Sequence, residues 1–442
     1  MPVLLRVLLL AILAVSAGCG GPSPEEHLDA AAKYLEAGDT SAALLEVKNA
    51  LSKGPRNGAA RYLAGDIHMA LGDGASAEKE YQHALSLGES PGEIQPLLAE
   101  ALYVQSEYDR VLEIDPEQAW LNPEGKARIR ALRGMALVAQ NKPDKAELEF
   151  REGQEVDRDS LDILTGFGWL AAVRQDFELA REFASKALER DENHAEAWSL
   201  LGNVERHVQN YEEALEAFNR AATLRPAHLA DSIGRIAANV AVGNYKVAQR
   251  QVNVLRGARA VTSELEYLDG VLAFQREEYD KSLLRFEKSL QSDPNHLMSL
   301  YYAGVSALRL DRFESATLYL SRFNGRNPGY LPAMQLLAWL EARVGNFPQA
   351  ELLLRQVLDR EPENLNALKL LSSTLAGDKR QQESVEVLRE IVKLSPESAV
   401  ARSQLGLGMM QVGMVDEGLQ QLESARELDS GRLDTAGAIV FT

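Results

Sequence analysis

The sequence is poor in several residue types, and each shortage excludes a class of protein. Its 442 residues include a single cysteine, which excludes an intrachain disulfide and a multi-cysteine metal site. Basic residues are outnumbered, 47 against 65 acidic ones, and the net charge of −18 disfavours binding to the anionic backbone of nucleic acid. Proline, which interrupts helices, occurs only 16 times. We therefore expect an acidic, largely helical protein.

Long apolar runs are also missing, apart from one at the N-terminus. Residues 1–18 read MPVLLRVLLLAILAVSAG, in which Arg6 precedes an apolar run from Val7 to Val15. This run is shorter than the roughly 20 residues that a membrane-spanning helix needs, so it indicates a secretory signal peptide. Small residues then precede Cys19, the only thiol. The pattern resembles the lipobox of bacterial lipoproteins, with serine at the position where that motif usually has leucine.

The lipobox resemblance implies that Cys19 is acylated and becomes the first mature residue. Several acyl chains, at about 0.8 kcal/mol per buried CH₂, hold a protein stably at a bilayer. Among lipoproteins an Asp after the cysteine retains the protein at the inner membrane. The residue here is Gly20, so the resemblance implies an outer-membrane lipoprotein facing the periplasm, with residues 19–23 as a flexible tether. A plain signal peptide with an incidental cysteine is the alternative.

A 34-residue period runs through the rest of the sequence. Steps of 34 from Ala146 to Gly418 meet only small residues, and steps from Gly134 meet small residues at eight of nine positions. Shared phase over such a length predicts one supersecondary unit that is repeated along the chain. Prolines keep the same phase at Pro226, Pro294, Pro328, Pro362 and Pro396.

The repeat resembles the tetratricopeptide repeat, a helix–turn–helix unit whose small residues let the two helices cross closely. The resemblance implies a right-handed superhelical α-solenoid of about twelve repeats over residues 24–442, with a partial thirteenth at 433–442. The third repeat, 92–126, is expected to be irregular. The clearest copy, 195–226, has Glu205 where the motif usually has tyrosine. Its motif residues are Trp198, Leu201, Gly202, Tyr211, Ala214, Phe218, Ala221 and Pro226.

The first 120 residues carry a narrower resemblance. The stretches LEAGD…AALLEVKNAL, ARYLAGDIH and LGDGASAEKE within 27–88, together with YDRVLEIDPE at 108–117, look like the repeat lipoproteins of PEP-CTERM/exosortase systems. This resemblance implies a periplasmic scaffold beside exopolysaccharide production and the export of sorted surface proteins. The sequence ends in LDTAGAIVFT, which is apolar where a solenoid normally has a polar cap, so we expect a natural continuation beyond Thr442. The usually greater length of that family agrees with this expectation, and the alternative is that this end is itself the cap or docks on a partner. A helical arm of a longer enzyme is a further alternative.

Catalytic motifs are missing from the sequence. It contains no P-loop, no HExxH and no GxSxG, and GFGWLA at 166–171 falls inside a predicted helix, whereas dinucleotide binding needs this motif after a strand. The seven histidines lack the spacing of metal ligands. We therefore expect no enzyme activity, no cofactor and no metal site. The basic stretches at 126–133 and 250–259 predict solvated helix faces, with a polyanion-binding patch as the alternative.

Binding is the expected activity. In tetratricopeptide arrays the first helix of each repeat lines the concave face, and aromatic side chains there would anchor a protein or an extended peptide because they bury a large area at low entropy cost. Packing between helices is the alternative role for each ring, and polysaccharide is the alternative partner. The predicted concave-face residues are Tyr62, Tyr103, Trp169, Tyr267, Phe274, Tyr301 and Trp339, with polar neighbours Asn203, Arg206, Arg309, Gln335 and Arg343.

Overall fold

The computed structural model describes residues 22–258 and 262–428 of the chain. Within these two ranges the regular secondary structure is helical, with no strand. The predicted fold class, an all-α solenoid of stacked helix pairs, is therefore confirmed. Residues 1–21, which include the predicted signal peptide and Cys19, lie outside the described residues, as do residues 429–442, which include the predicted partial thirteenth repeat.

Two compact units make up the chain, and they divide between Gln251 and Val252, inside one helix. The first unit contains α1 (Pro24–Glu36), α2 (Thr40–Lys53), α3 (Gly58–Ala70), α4 (Gly74–Ser86), α5 (Pro91–Val104), α6 (Tyr108–Glu113), α7 (Pro123–Ala139), α8 (Pro143–Val156), α9 (Leu161–Val173), α10 (Phe177–Arg190), α11 (Ala195–His207), α12 (Tyr211–Leu224), α13 (Leu229–Ala241) and the start of α14 (Tyr245–Gly257).

The second unit begins with the end of α14 and is built in the same way, from helices of 13 or 14 residues. Its further helices are α15 (Ser263–Gln275), α16 (Tyr279–Ser292), α17 (Leu297–Arg309), α18 (Phe313–Arg326), α19 (Leu331–Arg343), α20 (Phe347–Arg360), α21 (Leu365–Gly377), α22 (Gln381–Leu394), α23 (Ala399–Gln411) and α24 (Val415–Leu428).

A short turn joins the two helices of each pair, and one residue of each turn has a left-handed backbone. The φ angles lie between 56° and 87°, and the positions recur every 34 residues apart from one step of 35. Twelve such turns in the described ranges mark twelve helix pairs, as the sequence predicted. The left-handed turn residues are Gly38, Gly72, Ser106, Asn141, Gln175, Gln209, Gly243, Glu277, Asp311, Gly345, Lys379 and Gly413.

Aspartates that follow these turns begin several of the second helices. Asp39, Asp73 and Asp176 each accept a hydrogen bond from the backbone N–H three residues further on, at 3.0, 3.0 and 3.2 Å respectively. Such N-caps satisfy N–H groups that have no partner within the helix. The turn and the cap together set where each second helix starts.

The small residues of the 34-residue tracks lie where helices cross, as predicted. A Cβ atom added to Gly202 would lie 3.0 Å from the ring of Phe218 in the paired helix, and one added to Gly134 would meet the ring of Phe150 more closely still. Gly168 faces a leucine methyl group of α11 in the same way. Both phenylalanine rings are buried, so the glycines give the core its largest side chains room to pack.

The odd-numbered helices, which come first in each pair, line one face of each unit. In the first unit α5 contacts α7, α7 contacts α9, and α9 contacts α11; in the second unit α15 contacts α17, and α19 contacts α21. Most odd-numbered helices therefore touch their own partner and also the first helix of a neighbouring pair. We call the surface formed by these helices the first-helix face.

The third pair departs from the pattern. Its second helix, α6, has six residues and ends at Glu113, whereas α4 and α8 have 13 and 14. Residues 114–122 continue without a helix and lead into α7, the longest helix of the described ranges with 17 residues. The last turns that a regular second helix would have are missing at this point.

Candidate interaction surfaces

Charged side chains of the first-helix face in the first unit are paired with one another. Arg128 of α7 donates to Glu100 of α5. Burial raises the pKa of Asp162 in α9, and the positive charge of Arg128 opposes that rise. Glu196 of α11 accepts hydrogen bonds from the indole of Trp169 at 2.8 Å and from the guanidinium of Arg225 at 2.7 Å. These contacts join α5, α7, α9 and α11 into one polar track.

A buried carboxylate ends this track. Asp231 is 1% exposed, and its Oδ2 atom lies 2.9 Å from Arg225 and 2.9 Å from His228. Burial alone would raise the pKa of Asp231, but His228, Arg225 and the hydroxyl of Ser199 together hold it below its ordinary value. Asp231 is therefore ionised at neutral pH and held in place by several donors.

The predicted aromatic residues of the first unit are half-buried and pack on their own neighbours. Tyr62 meets the buried ring of Tyr81 edge-on, with ring centroids 6.2 Å apart. Burial raises the pKa of Tyr62, with a smaller contribution from Asp66. Tyr103 packs against Tyr108 at 5.6 Å, and burial raises its pKa as well. Interhelical packing, the alternative weighed for these rings, accounts for most of their surface.

Trp169 and the polar residues of α11 are also engaged within the first unit. Besides its bond to Glu196, Trp169 packs against the core that includes Leu200. The side-chain amide of Asn203 donates to the carbonyl of Ser199 at 2.9 Å, and its oxygen accepts from Arg206 at 3.3 Å. Asn203 and Arg206 are half-buried, so each keeps part of its surface open to solvent.

Aromatic rings of the second unit form one contiguous cluster centred on Tyr302. Its ring centroid lies 5.4 Å from Phe274, 5.6 Å from Phe286 and 5.4 Å from Tyr301. Phe274 and Tyr301 were predicted from the sequence. Tyr302 was not, although its place next to Tyr301 in the sequence was an available signal. The ring cluster consists of Tyr267, Phe274, Tyr279, Phe286, His296, Tyr301, Tyr302, Phe323 and Tyr330.

Tyr301 is half-buried and contacts three other rings of the cluster. Its ring is 5.2 Å from Tyr330, 5.4 Å from Phe323 and 5.4 Å from Tyr302, at steep interplanar angles. Burial, with help from Tyr330, raises the pKa of Tyr301 to about 12. Tyr267 reaches the same cluster through Phe286, Tyr302 and His296, the last at 4.9 Å.

Trp339 lies apart from the ring cluster, beside a cation. The guanidinium of Arg343 is 4.2 Å from the ring of Phe313 and 5.3 Å from the ring of Trp339, and the two rings are 5.9 Å apart. Trp339 therefore lies in a different group of side chains from Tyr267 and Tyr301, although all three were predicted on the concave face. Arg343 is exposed, so this cation–π group presents a positive charge on an apolar base.

The remaining predicted residues are simpler to place. Arg309 is exposed in the last turn of α17, and Gln335 is half-buried in α19. The basic stretch 126–133 is not a free cationic patch. Arg130 contacts three carboxylates, and Arg133 contacts Glu149 as well as two backbone carbonyls. Intramolecular pairing accounts for these arginines.

Two other kinds of site are absent from residues 22–258 and 262–428. No group of three or more histidine, cysteine or acidic side chains is placed to hold a metal ion there. No helix in the same ranges is long and apolar enough to cross a membrane.

Paired helices, repeated turns and a shared first-helix face define a class of protein, the α-solenoid repeat proteins. Residues 34–101 match one family model described as tetratricopeptide repeat, and residues 131–193, 165–228 and 336–399 match a second with the same description. The matched spans together cover just over half of the chain. The protein belongs to the tetratricopeptide repeat family, whose repeats form protein–protein interaction scaffolds and are typically non-catalytic.

Several solved structures are similar to this chain. One is the hetero-tetramer Cut9-Hcn1 of APC/C, with 14% identity, a TM-score of 0.41 and coverage of 95% of this chain and 90% of that chain. MamA from Desulfovibrio magneticus RS-1 has 17% identity and a TM-score of 0.37, with coverage of 39% of this chain and 97% of that chain. A tetratricopeptide repeat protein from Parabacteroides merdae ATCC 43184 has 19% identity and a TM-score of 0.35, with coverage of 65% of this chain and 99% of that chain. No curated protein matches the sequence.

Proposed function

We propose that the protein is a lipid-anchored scaffold of the bacterial envelope that binds a protein partner. The proposal of a lipid anchor rests on the lone cysteine, Cys19, which directly follows a signal-like apolar run and small residues. The proposal of a scaffold rests on membership of the tetratricopeptide repeat family. Within this proposal the protein is an outer-membrane lipoprotein facing the periplasm, and it serves a PEP-CTERM/exosortase-type export system associated with exopolysaccharide.

The cation–π group of the second unit is the best-supported partner contact. Arg343 keeps its charge accessible above the rings of Phe313 and Trp339, whereas most predicted aromatic residues are packed by neighbours. Arginine and tryptophan are the residues most often found at the energetic centre of interfaces. A partner segment with a carboxylate would pair with Arg343 while its apolar part covers Trp339.

Polysaccharide binding has less support. Stacking on a sugar needs an open ring face, and the half-buried ring of Tyr301 already contacts the rings of Tyr302, Phe323 and Tyr330. Among the predicted rings, Trp339 is half-buried and already stacks with Arg343. These contacts favour a protein partner over a glycan.

Fractionation of cells that express the full-length protein tests the anchor. We expect wild type to sediment with outer membranes, and Cys19→Ser to appear in the soluble periplasm, because the thiol that carries the acyl chains is gone. Radiolabelled palmitate should be incorporated into wild type alone. If Cys19→Ser still sediments with membranes, lipidation is not the anchor.

Cross-linking and mass spectrometry of the same membrane fraction test the scaffold role. Arg343→Ala should reduce the yield of the cross-linked protein partner about ten-fold, the size expected for an interface centre. Arg355→Ala is the matched control, because Arg355 is an exposed arginine of the same unit on a second helix, α20. Equal losses in the two variants would contradict a partner site at Arg343. A glycan captured in place of a protein would favour the alternative partner.

A further inference from the structure

The irregular third pair leaves a cavity where a regular second helix would continue. In other pairs the last turns of the second helix bury a small residue such as Ala84 in α4 or Ala187 in α10, both 0% exposed. α6 ends at Glu113, before those turns begin. The space that they would fill is partly open.

Residues 114–122 are fixed in place beside this space. The carboxylate of Asp115 accepts hydrogen bonds from the N–H of Glu117 and from the side-chain amide of Gln118, both at 2.9 Å. A Cβ atom added to Gly92 of α5 would lie 2.6 Å from the carbonyl oxygen of Trp120, so only glycine permits this approach of the two backbones. The segment is thus held at both ends, and the cavity has a defined shape.

The cavity has a volume of about 340 Å³, an apolar floor and a polar rim. Leu102 and Leu121, each 6% exposed, belong to the floor together with Ile114. Ligand sites usually measure about 300–1,000 Å³. A cavity at the small end of that range suits a single long side chain and is too small for a polymer.

The charge of the rim is negative. Arg110 also lines the cavity, but its positive charge is compensated by Glu78 of α4, with which it forms an ion pair. The oxygens of Asp115 bind Glu117 and Gln118, which leaves its negative charge uncompensated. Glu113 is exposed and forms no ion pair within the described part of the chain. A cation entering the cavity would meet two carboxylates.

Trp120 completes the site with an exposed aromatic ring. Its side chain is 52% exposed although Trp is among the largest apolar residues, and it lies at the mouth of the cavity. The face of an indole attracts cations more strongly than other aromatic rings do. A guanidinium group, which is planar and weakly hydrated, suits a site between a ring and a carboxylate better than an ammonium group.

We propose that this cavity, the third-pair pocket, receives an arginine side chain of a protein partner. The methylene groups lie on Leu102, Ile114 and Leu121, and the guanidinium lies between the ring of Trp120 and the carboxylate of Glu113. The inference rests on the proposed scaffold function and adds a partner contact in the first unit.

Fluorine NMR of the full-length protein labelled with 5-fluorotryptophan tests the pocket. The chain has four tryptophans, and Trp120→Phe identifies the signal of Trp120. The probe is a heptapeptide of glycine and serine with one central arginine. We expect only the Trp120 signal to shift, with a dissociation constant of about 1 mM, the size of affinity that a few weak contacts give. A peptide with citrulline, which is isosteric but uncharged, should not shift it.

Two variants complete the test without disturbing the core. Glu113→Gln should weaken binding of the arginine peptide about three-fold, as expected for one exposed ion pair. Glu155→Gln, at an exposed position in α8, should leave it unchanged. The proposed arginine site would be contradicted by any of three results. They are a Trp120 fluorine signal that does not shift with the arginine peptide, an equal shift with the citrulline peptide, and equal affinities of the two variants for the arginine peptide. The scaffold function would survive that outcome if partner cross-linking to the membrane-anchored protein persists.

Discussion

Glu205 shows how one residue can depart from a repeat motif and still fit the core. It occupies a position where the motif usually has tyrosine, and it is 5% exposed. Its carboxylate accepts hydrogen bonds from Arg181 at 2.6 and 3.1 Å and from Asn210 at 2.8 Å. The bonds from Arg181 lower the pKa of Glu205 despite the opposing effect of burial. A buried charge is tolerated here because donors from a neighbouring helix and the turn surround it.

This arrangement predicts a pH-dependent contribution to stability. Because the pKa of Glu205 is lower in the folded state, its contribution is complete above the unfolded value of about 4.5 and is lost as pH falls through the folded value. Glu205→Gln should therefore lower the free energy of unfolding by about 2 kcal/mol at pH 7. The difference from wild type should shrink below about pH 4.5. Urea denaturation at a series of pH values measures both effects.

Glu178→Gln is the matched control for Glu205→Gln. Glu178 pairs with the same arginine, Arg181, at 2.8 Å, but its side chain is 84% exposed. Exposed ion pairs contribute about 0–1 kcal/mol. If the two variants lose equal stability, burial is not what gives Glu205 its role.

At the scale of helices and turns, the sequence predicted what depends on spacing along the chain. Gly134, Gly168 and Gly202 were identifiable because each repeat needs a small residue where its helices cross. A small residue therefore recurs every 34 residues, which is visible in the sequence. Tyr302 was missed despite its pairing with Tyr301 in the sequence, because its importance comes from rings that four different helices bring together. The third-pair pocket was also hidden, since it arises from the missing turns after Glu113 and from the position of Trp120.

The left-handed turn residues carry a prediction at this scale. Seven of the twelve are not glycine, and a side chain in this conformation costs roughly 1–2 kcal/mol. Glu277→Gly and Lys379→Gly should each raise the free energy of unfolding by about 1 kcal/mol, after the extra backbone entropy of glycine is subtracted. Gly345→Ala, at φ 85°, should lower it by a similar amount. Thermal and urea unfolding report these changes.

A glycine outside the turns provides the control for this series. Gly325 lies in α18 without a positive φ, and a Cβ atom added there would meet nothing within 4 Å. Gly325→Ala should raise stability slightly because alanine favours helix. A gain from Gly345→Ala as well would show that the turns tolerate side chains and that their φ angles carry no cost.

At the scale of the whole molecule, each helix pair depends mainly on its neighbours, so damage should stay local. A buried group of ions in the second unit offers a place to test this. Glu266 and Asp269 of α15 are 4% and 6% exposed, and each contacts both Arg256 and Arg285 at 2.7–3.2 Å. Removing Asp269 leaves Arg256 and Arg285 to share Glu266, so half of the ion pairs in this group are lost. The cost should stay below the roughly 3–5 kcal/mol of leaving a buried charge with no partner.

Hydrogen exchange measured by mass spectrometry on Asp269→Ala tests how far that loss spreads. Exchange should increase in α15, α16 and α17, because stability in a repeat array is a sum of terms from single repeats and their neighbours. Peptides from α1 to α5 should exchange as in wild type. Asp280→Ala, which removes an exposed ion pair with Arg312, should change exchange little anywhere. A uniform increase along the chain of Asp269→Ala would mean that the pairs unfold together and that the nearest-neighbour description fails for this protein.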